Sequence, residues 1–178
     1  MSKINLYAVT IPPVIRALQN LEGLIGKAVA HAESFETPRH PASEYVEALL
    51  NDRLIFDQFT FKRQIQIASD TAKALAARLA GVEIPKYEDA EKTPEELVAR
   101  IQKTIAFLET ISPEQIIGKE EANVAMPYYK DKYLTGFEYA TQYALPNFYF
   151  HVTTAYSILR KNGLKIGKSD FIGELALH

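Results

Sequence analysis

From Thr10 the apolar residues Ile11, Val14, Ile15, Leu18, Leu21, Ile25, Ala28 and Val29 recur at steps of three and four. That spacing puts them on one face of a helix running to about His31. Pro38, His40 and Pro41 break the pattern, and Ser43 is placed to cap a short helix through Leu50 that closes one end of the fold. A second long stripe, Phe56, Phe59, Ile65, Ala68, Ala72, Leu75 and Leu79, predicts a helix from about Phe56 to Gly81, a glycine standing where a left-handed stop is expected. Thr93-Pro94-Glu95-Glu96 joins an N-cap, a first-turn proline and a glutamate three residues on, so it starts a helix whose inner face carries Leu97, Ile101, Ile105 and Leu108.

Ser112-Pro113-Glu114 opens another short turn. Residues from about Ala122 to Thr135 lose the helical period and read as a loop or small hairpin. A last helix is predicted over about Gly136 to Asn162, interrupted or restarted at Pro146 and stopped by Gly163. Beyond it the tail wraps the surface, with Ile166, Phe171, Ile172 and Leu175 as apolar anchors. Four long helices and no convincing alternating strand predict an all-α four-helix bundle, one domain over residues 1–178.

Composition narrows the chemistry. Of 178 residues 47% are hydrophobic and 24% charged, which suits a packed globular core and argues against a disordered chain. There is no cysteine, which removes disulfides, thiolate metal sites and cysteine nucleophiles. A net charge of −2 lacks the basic footprint that nucleic acid or anionic lipid requires. No stretch approaches the roughly 20 apolar residues of a membrane span, and the first residues lack the apolar run of a secretory signal, so the expected location is the cytoplasm.

The densest signal is Ala144-Leu145-Pro146-Asn147-Phe148-Tyr149-Phe150-His151, followed by Leu159-Arg160 and Gly163. His151, Leu159, Arg160 and Gly163 resemble, in order and spacing, the last helix of the DinB/YfiT-like superfamily. With Gln64 to Asp70 and Gly167 to Phe171 the chain resembles a bacterial family of unknown function within it. The resemblance implies an up-down-down-up bundle and a site between the second and fourth long helices. Metal-binding members take one histidine from the former and two, four apart, from the latter, because residues at that spacing share a face. Here His151 holds one of those positions, Asn147 stands four before it, and Gln64 or Gln66 supplies the second helix. One imidazole and two amides form a degenerate set, amide oxygens being weak ligands for zinc or nickel, so neither metal nor cofactor is expected. Asp57 and Asp70 could add carboxylates, though charges on such a helix more often face solvent.

Two functions remain open. One is a non-catalytic binding or scaffold bundle. The other is a small-molecule enzyme, for which the resemblance implies metal-dependent hydrolase or thiol-transferase chemistry, with His151 as base or ligand and Gln64, Asn147 and Tyr149 holding the substrate. No second histidine lies close to His151 in sequence, though the fold could bring the distant His31, His40 or His178 to it. Gly163 to Ser169 ends in the Gly-Lys-Ser of a phosphate loop, but three residues separate its glycines instead of four and a helix precedes it, so nucleotide binding is set aside. Phe137, Tyr139, Tyr143, Phe148, Tyr149, Phe150 and Tyr156 cannot all face one core, and a homodimer is the expected way to cover the surplus.

Overall fold

The structure, a computed structural model, describes residues 4–175 and residue 177. Four long helices make the bundle: α1 (Leu6–Glu33), α3 (Phe61–Ala80), α4 (Pro94–Glu109) and α7 (Leu145–Lys161). Short elements join them: α2 (Ala42–Asn51), α5 (Pro113–Ile116), β1 (Asn123–Ala125), β2 (Tyr133–Thr135), α6 (Gly136–Glu138) and α8 (Lys168–Ile172). α3 and α4 run parallel, so the chain between them must travel back along the bundle, and α7 is antiparallel to α3. The expected up-down-down-up bundle is therefore the observed one, and β1 and β2 form the small antiparallel hairpin. One contiguous core, with Leu18, Ile65, Leu75, Ile101, Phe148 and Leu159 fully buried, runs through all four helices.

Several boundaries differ from those read in the sequence. α1 begins at Leu6, four residues before Thr10, because the Asn5 side chain caps it by accepting from the Ala8 N–H at 2.9 Å. Pro12 and Pro13 thus lie inside the helix. α2 starts after Pro41, and Ser43 falls in its first turn, so no side chain caps it. α3 starts only at Phe61; Phe56 is 89% exposed on the preceding loop, and Phe59 is exposed too. The predicted stop at Gly81 adopts the left-handed conformation, with φ 71°. The Thr93 hydroxyl and the Glu96 carboxylate form a reciprocal capping box, as the motif predicts.

Pro146 does not break the last helix. A proline lacks the N–H that closes an α turn and crowds the carbonyl four residues back. The chain answers by widening into a π turn over Tyr139–Ala144, where the Leu145 N–H reaches back five residues to the Ala140 carbonyl. Helical direction is kept from Gly136 to Lys161. In the tail, Ile166 is buried and the Phe171 ring meets Tyr156 at 5.7 Å, but Ile172 and Leu175 are exposed, leaving two of the four expected anchors unused. α8 is tied to α1 by a Lys27–Asp170 ion pair and by Asn20, which donates to the Phe171 carbonyl at 3.0 Å.

Candidate functional site

The seam between α3 and α7 carries three polar rungs. His151, nearly buried, meets Gln64 at 2.6 Å; Asn147 donates to the Thr71 hydroxyl at 2.9 Å; Arg78 donates to the Tyr139 hydroxyl at 3.0 Å. On α3 these residues stand seven apart, the interval at which a helix re-presents the same face to a near-antiparallel neighbour. Gln64 rather than Gln66 faces His151. Gln66 points to the α4 side, where it donates to Glu91 of the α3–α4 connection at 2.8 Å.

The hydrogen-bond chain assigns the imidazole tautomer. The Gln64 amide nitrogen donates to the Phe59 carbonyl at 3.1 Å, which turns its oxygen toward His151, so Nδ1 carries the proton and donates. Nε2 is left with its lone pair. Burial, aided by the positive charge of Arg63, holds the His151 pKa below its ordinary value, so the ring is neutral at pH 7. Phe150 covers it edge-on, 5.2 Å between ring centres.

The expected site residues are therefore only partly brought together. His151 and Gln64 bond directly, but the Asn147 amide turns to Thr71. Tyr149 lies off this face, packed against Phe148 and near Arg16 of α1. Asp57 is exposed on the loop before α3. Asp70 sits between the Arg100 guanidinium and the Lys73 ammonium, 2.8 Å from each. His31 meets the Asn162 carbonyl and His40 pairs with Glu44, both away from His151; His178 lies outside the described residues. Among the described residues no three of histidine, cysteine, aspartate and glutamate are placed to hold a metal ion. The donor set does not fit the metal that the superfamily implies: it offers one imidazole nitrogen, Nε2 of His151, where three imidazoles are expected, and its two amides are turned to protein partners, Gln64 to His151 and Phe59 and Asn147 to Thr71.

A family model described as a domain of unknown function, DUF1993, matches residues 6–172, nearly the whole chain. The chain belongs to the DUF1993 family. A crystal structure of a DinB family member from Shewanella denitrificans is 40% identical, superposes with a TM-score of 0.88, and covers 97% of this chain and 94% of its own. This DUF1993 chain is thus a DinB-like bundle, and the fold inferred from the His151 to Gly163 pattern stands. No curated protein matches it.

Two features of the site were not read from the sequence. The first is an ion network that pins the long connection between α3 and α4. Arg100, its side chain 2% exposed, reaches Asp70 at 2.8 Å, Asp89 at 3.0 Å and Glu91 at 2.9 Å, and donates to the Glu88 carbonyl at 3.1 Å. Arg63 also pairs with Asp89, and Lys73 lies 3.8 Å over the Tyr87 ring. The second is a groove of about 680 Å³ on the outer side of the seam. Its floor is the α3 stripe Arg63, Ile67, Thr71, Ala74 and Arg78, at steps of three and four. The seven-residue spacing of Gln64, Thr71 and Arg78 was the available signal, masked because a polar stripe on a helix ordinarily reads as its solvated side.

Proposed function

We propose that this DUF1993 protein is a metal-free, non-catalytic DinB-like bundle that works by binding, with His151 and Gln64 serving as a polar clamp between α3 and α7. The observation that carries this reading is the 2.6 Å Gln64–His151 hydrogen bond together with the turning of Asn147 to Thr71. The amides at two of the superfamily's ligand positions, Gln64 and Asn147, are turned to protein partners. Metal analysis of untagged protein, grown with zinc, nickel and manganese in excess, tests it. Less than a tenth of an equivalent of each is expected, and a stoichiometric metal lost in His151→Ala would overturn it.

A second reading, a small-molecule enzyme without metal, draws support from the free lone pair on Nε2 of a neutral imidazole, the form a general base needs. A turnover found by substrate screening and abolished in His151→Gln would favour it over binding alone. The same proposal places the protein in the cytoplasm as one domain over residues 1–178, and as a homodimer. Among the described residues no helix is long and apolar enough to cross a membrane. The dimer is supported by the exposed apolar residues Leu54, Ile55, Phe56 and Phe59 on one loop and by Phe137 and Phe150 on the last helical segment. Light scattering that returned the 20.0 kDa of one chain at micromolar concentration would remove the dimer.

A further inference from the structure

The groove beside the seam is built from cations and phenols. Four cationic side chains line it, and two of them are spent: Arg63 on Asp89 and Gln66, Lys73 on Asp70. Arg78 is different. Half-buried, its guanidinium donates once, to the Tyr139 hydroxyl, and no carboxylate among the described residues pairs with it. A guanidinium carries five donor hydrogens in a planar fork. Lys86, exposed at the rim on the α3–α4 connection, adds a second cation without a partner among the described residues. Asp70, the carboxylate in the lining, is already held by Arg100 and Lys73. The free charge of the groove is therefore positive.

Its walls are planar. The π turn before Pro146 sets Tyr139 and Tyr143 in near-parallel stacking, ring centres 6.0 Å apart at 23°, and π turns inserted in α-helices are frequent at functional sites. Tyr87, on the α3–α4 connection, and Tyr128, on the hairpin, also line the groove. Burial raises the pKa of Tyr139 despite Arg78, so its hydroxyl keeps a proton at pH 7. Ala74 at the middle of the floor leaves depth where a larger side chain would fill it.

We propose that this groove binds a small planar organic carboxylate, its charge held by Arg78 with Lys86 at the rim and its plane laid against the half-buried Tyr143 ring, which Tyr139 backs from the core. A planar fork matches the two oxygens of a carboxylate, and phenol faces suit a flat apolar body. The proposal rests on the reading of the protein as a binding module. Its failure is distinguishable, because metal content and carboxylate binding are separate measurements.

Calorimetric titration of the full chain with benzoate, 4-hydroxyphenylacetate, benzyl alcohol, phenyl phosphate and inorganic phosphate tests it. At least one carboxylate is expected to saturate with a Kd of about 1 mM or tighter, a modest affinity suited to a ligand of this size. Arg78→Gln, which can still donate to Tyr139, should weaken it tenfold or more. Lys86→Glu, at an exposed position where folding is not at stake, should weaken it several-fold, and benzyl alcohol should not bind measurably. Failure of both carboxylates to bind below about 10 mM, undiminished binding in Lys86→Glu, or benzyl alcohol binding equally well would each overturn the proposal. Tighter binding of phenyl phosphate or inorganic phosphate would overturn it in favour of a phosphate site.

Discussion

Replacing Arg100 with methionine keeps most of the stem and removes the charge on which the α3–α4 connection converges. Three charge-assisted bonds, to Asp70, Asp89 and Glu91, would be lost together. At about 1.5–3 kcal/mol each they set an upper bound that the real loss does not reach. Asp70 and Asp89 are each 37% exposed and keep a second cation, Lys73 or Arg63, so they rehydrate at little cost. Glu91, 12% exposed, keeps Gln66 and a backbone N–H but no cation. The Arg100 Nε, buried without a partner, is an unmet donor that the substitution also removes. The remaining penalty, mostly one under-paired carboxylate, is about 2–3 kcal/mol. For a chain of this size that lowers the melting temperature by about 5–10 °C.

The pH dependence gives the sharper test. Burial alone would raise the Glu91 pKa, but bonds from Arg100 and Gln66 more than offset it and hold the group below its ordinary 4.5. A depressed carboxylate contributes stability that is present above the unfolded value and lost as pH falls through the folded one. Without Arg100 that contribution disappears. The gap between wild type and Arg100→Met, read by urea denaturation, should be widest near neutral pH and narrow as the pH is taken below 4.5. A variant within about 0.5 kcal/mol of wild type, or a gap that does not change with pH, would refute the assignment of Arg100 as the pin of this connection.

Gln64→Leu leaves the buried Nδ1–H of His151 without an acceptor and should cost about 1–3 kcal/mol by urea denaturation; an unchanged midpoint would show that the clamp is dispensable. Because the folded pKa of His151 is lowered, its contribution is complete above the ordinary 6.5 and is lost as pH falls from there toward the folded value. His151→Gln should flatten the stability profile over that window, and parallel profiles would sink the argument. Gly136→Ala should destabilise by about 1–3 kcal/mol, since a β-carbon there would lie 2.2 Å from the Lys119 carbonyl oxygen, and normal thermal stability would contradict that contact. Thr93→Ala, which removes the capping box of α4, should cost about 1 kcal/mol, a loss that Thr93→Ser should largely spare.

The helices were legible because their signals are local. The capping box at Thr93, the stop at Gly81 and the core faces of α1, α3 and α4 each lie within a few residues of sequence. What was missed depended on partners far along the chain or on competing local signals. Phe56 and Phe59 fit a helical stripe by spacing, yet the chain there pairs Arg53 with Thr60 in a bridge and leaves both rings outside. Pro146 looked like a break because proline removes a hydrogen bond, and one sequence cannot show that the helix would widen to absorb it. Nothing in their local sequence sets Arg100, Asp89 and Glu91 apart. Only the parallel arrangement of α3 and α4, which forces the connection back along the bundle, brings them together.

The same distinction governs the site. That His151 and a glutamine of α3 would meet was readable from the resemblance, but which glutamine depended on helix phase that a shift of two residues reverses. The phase is set by the core: Phe61, Ile65, Ala68, Ala72 and Leu75 must all be buried, which turns Gln64, Thr71 and Arg78 to the α7 seam and Gln66 and Asp70 to the α4 side. Along that seam a metal held by three imidazoles and a set of hydrogen-bonded rungs can do the same mechanical work, joining α3 to α7 across a polar strip that apolar packing would leave unpaired. A polar strip kept after the ligand set has gone would still cost desolvation unless each rung finds a partner. Gln64 and Thr71 meet that condition with His151 and Asn147. Arg78 meets it only in part, since one bond to Tyr139 leaves most of a guanidinium unmatched at the edge of the groove. A fold that needed only a clamp would place a neutral group there, and the retained charge is the strongest reason to look for an anion at this end of the seam.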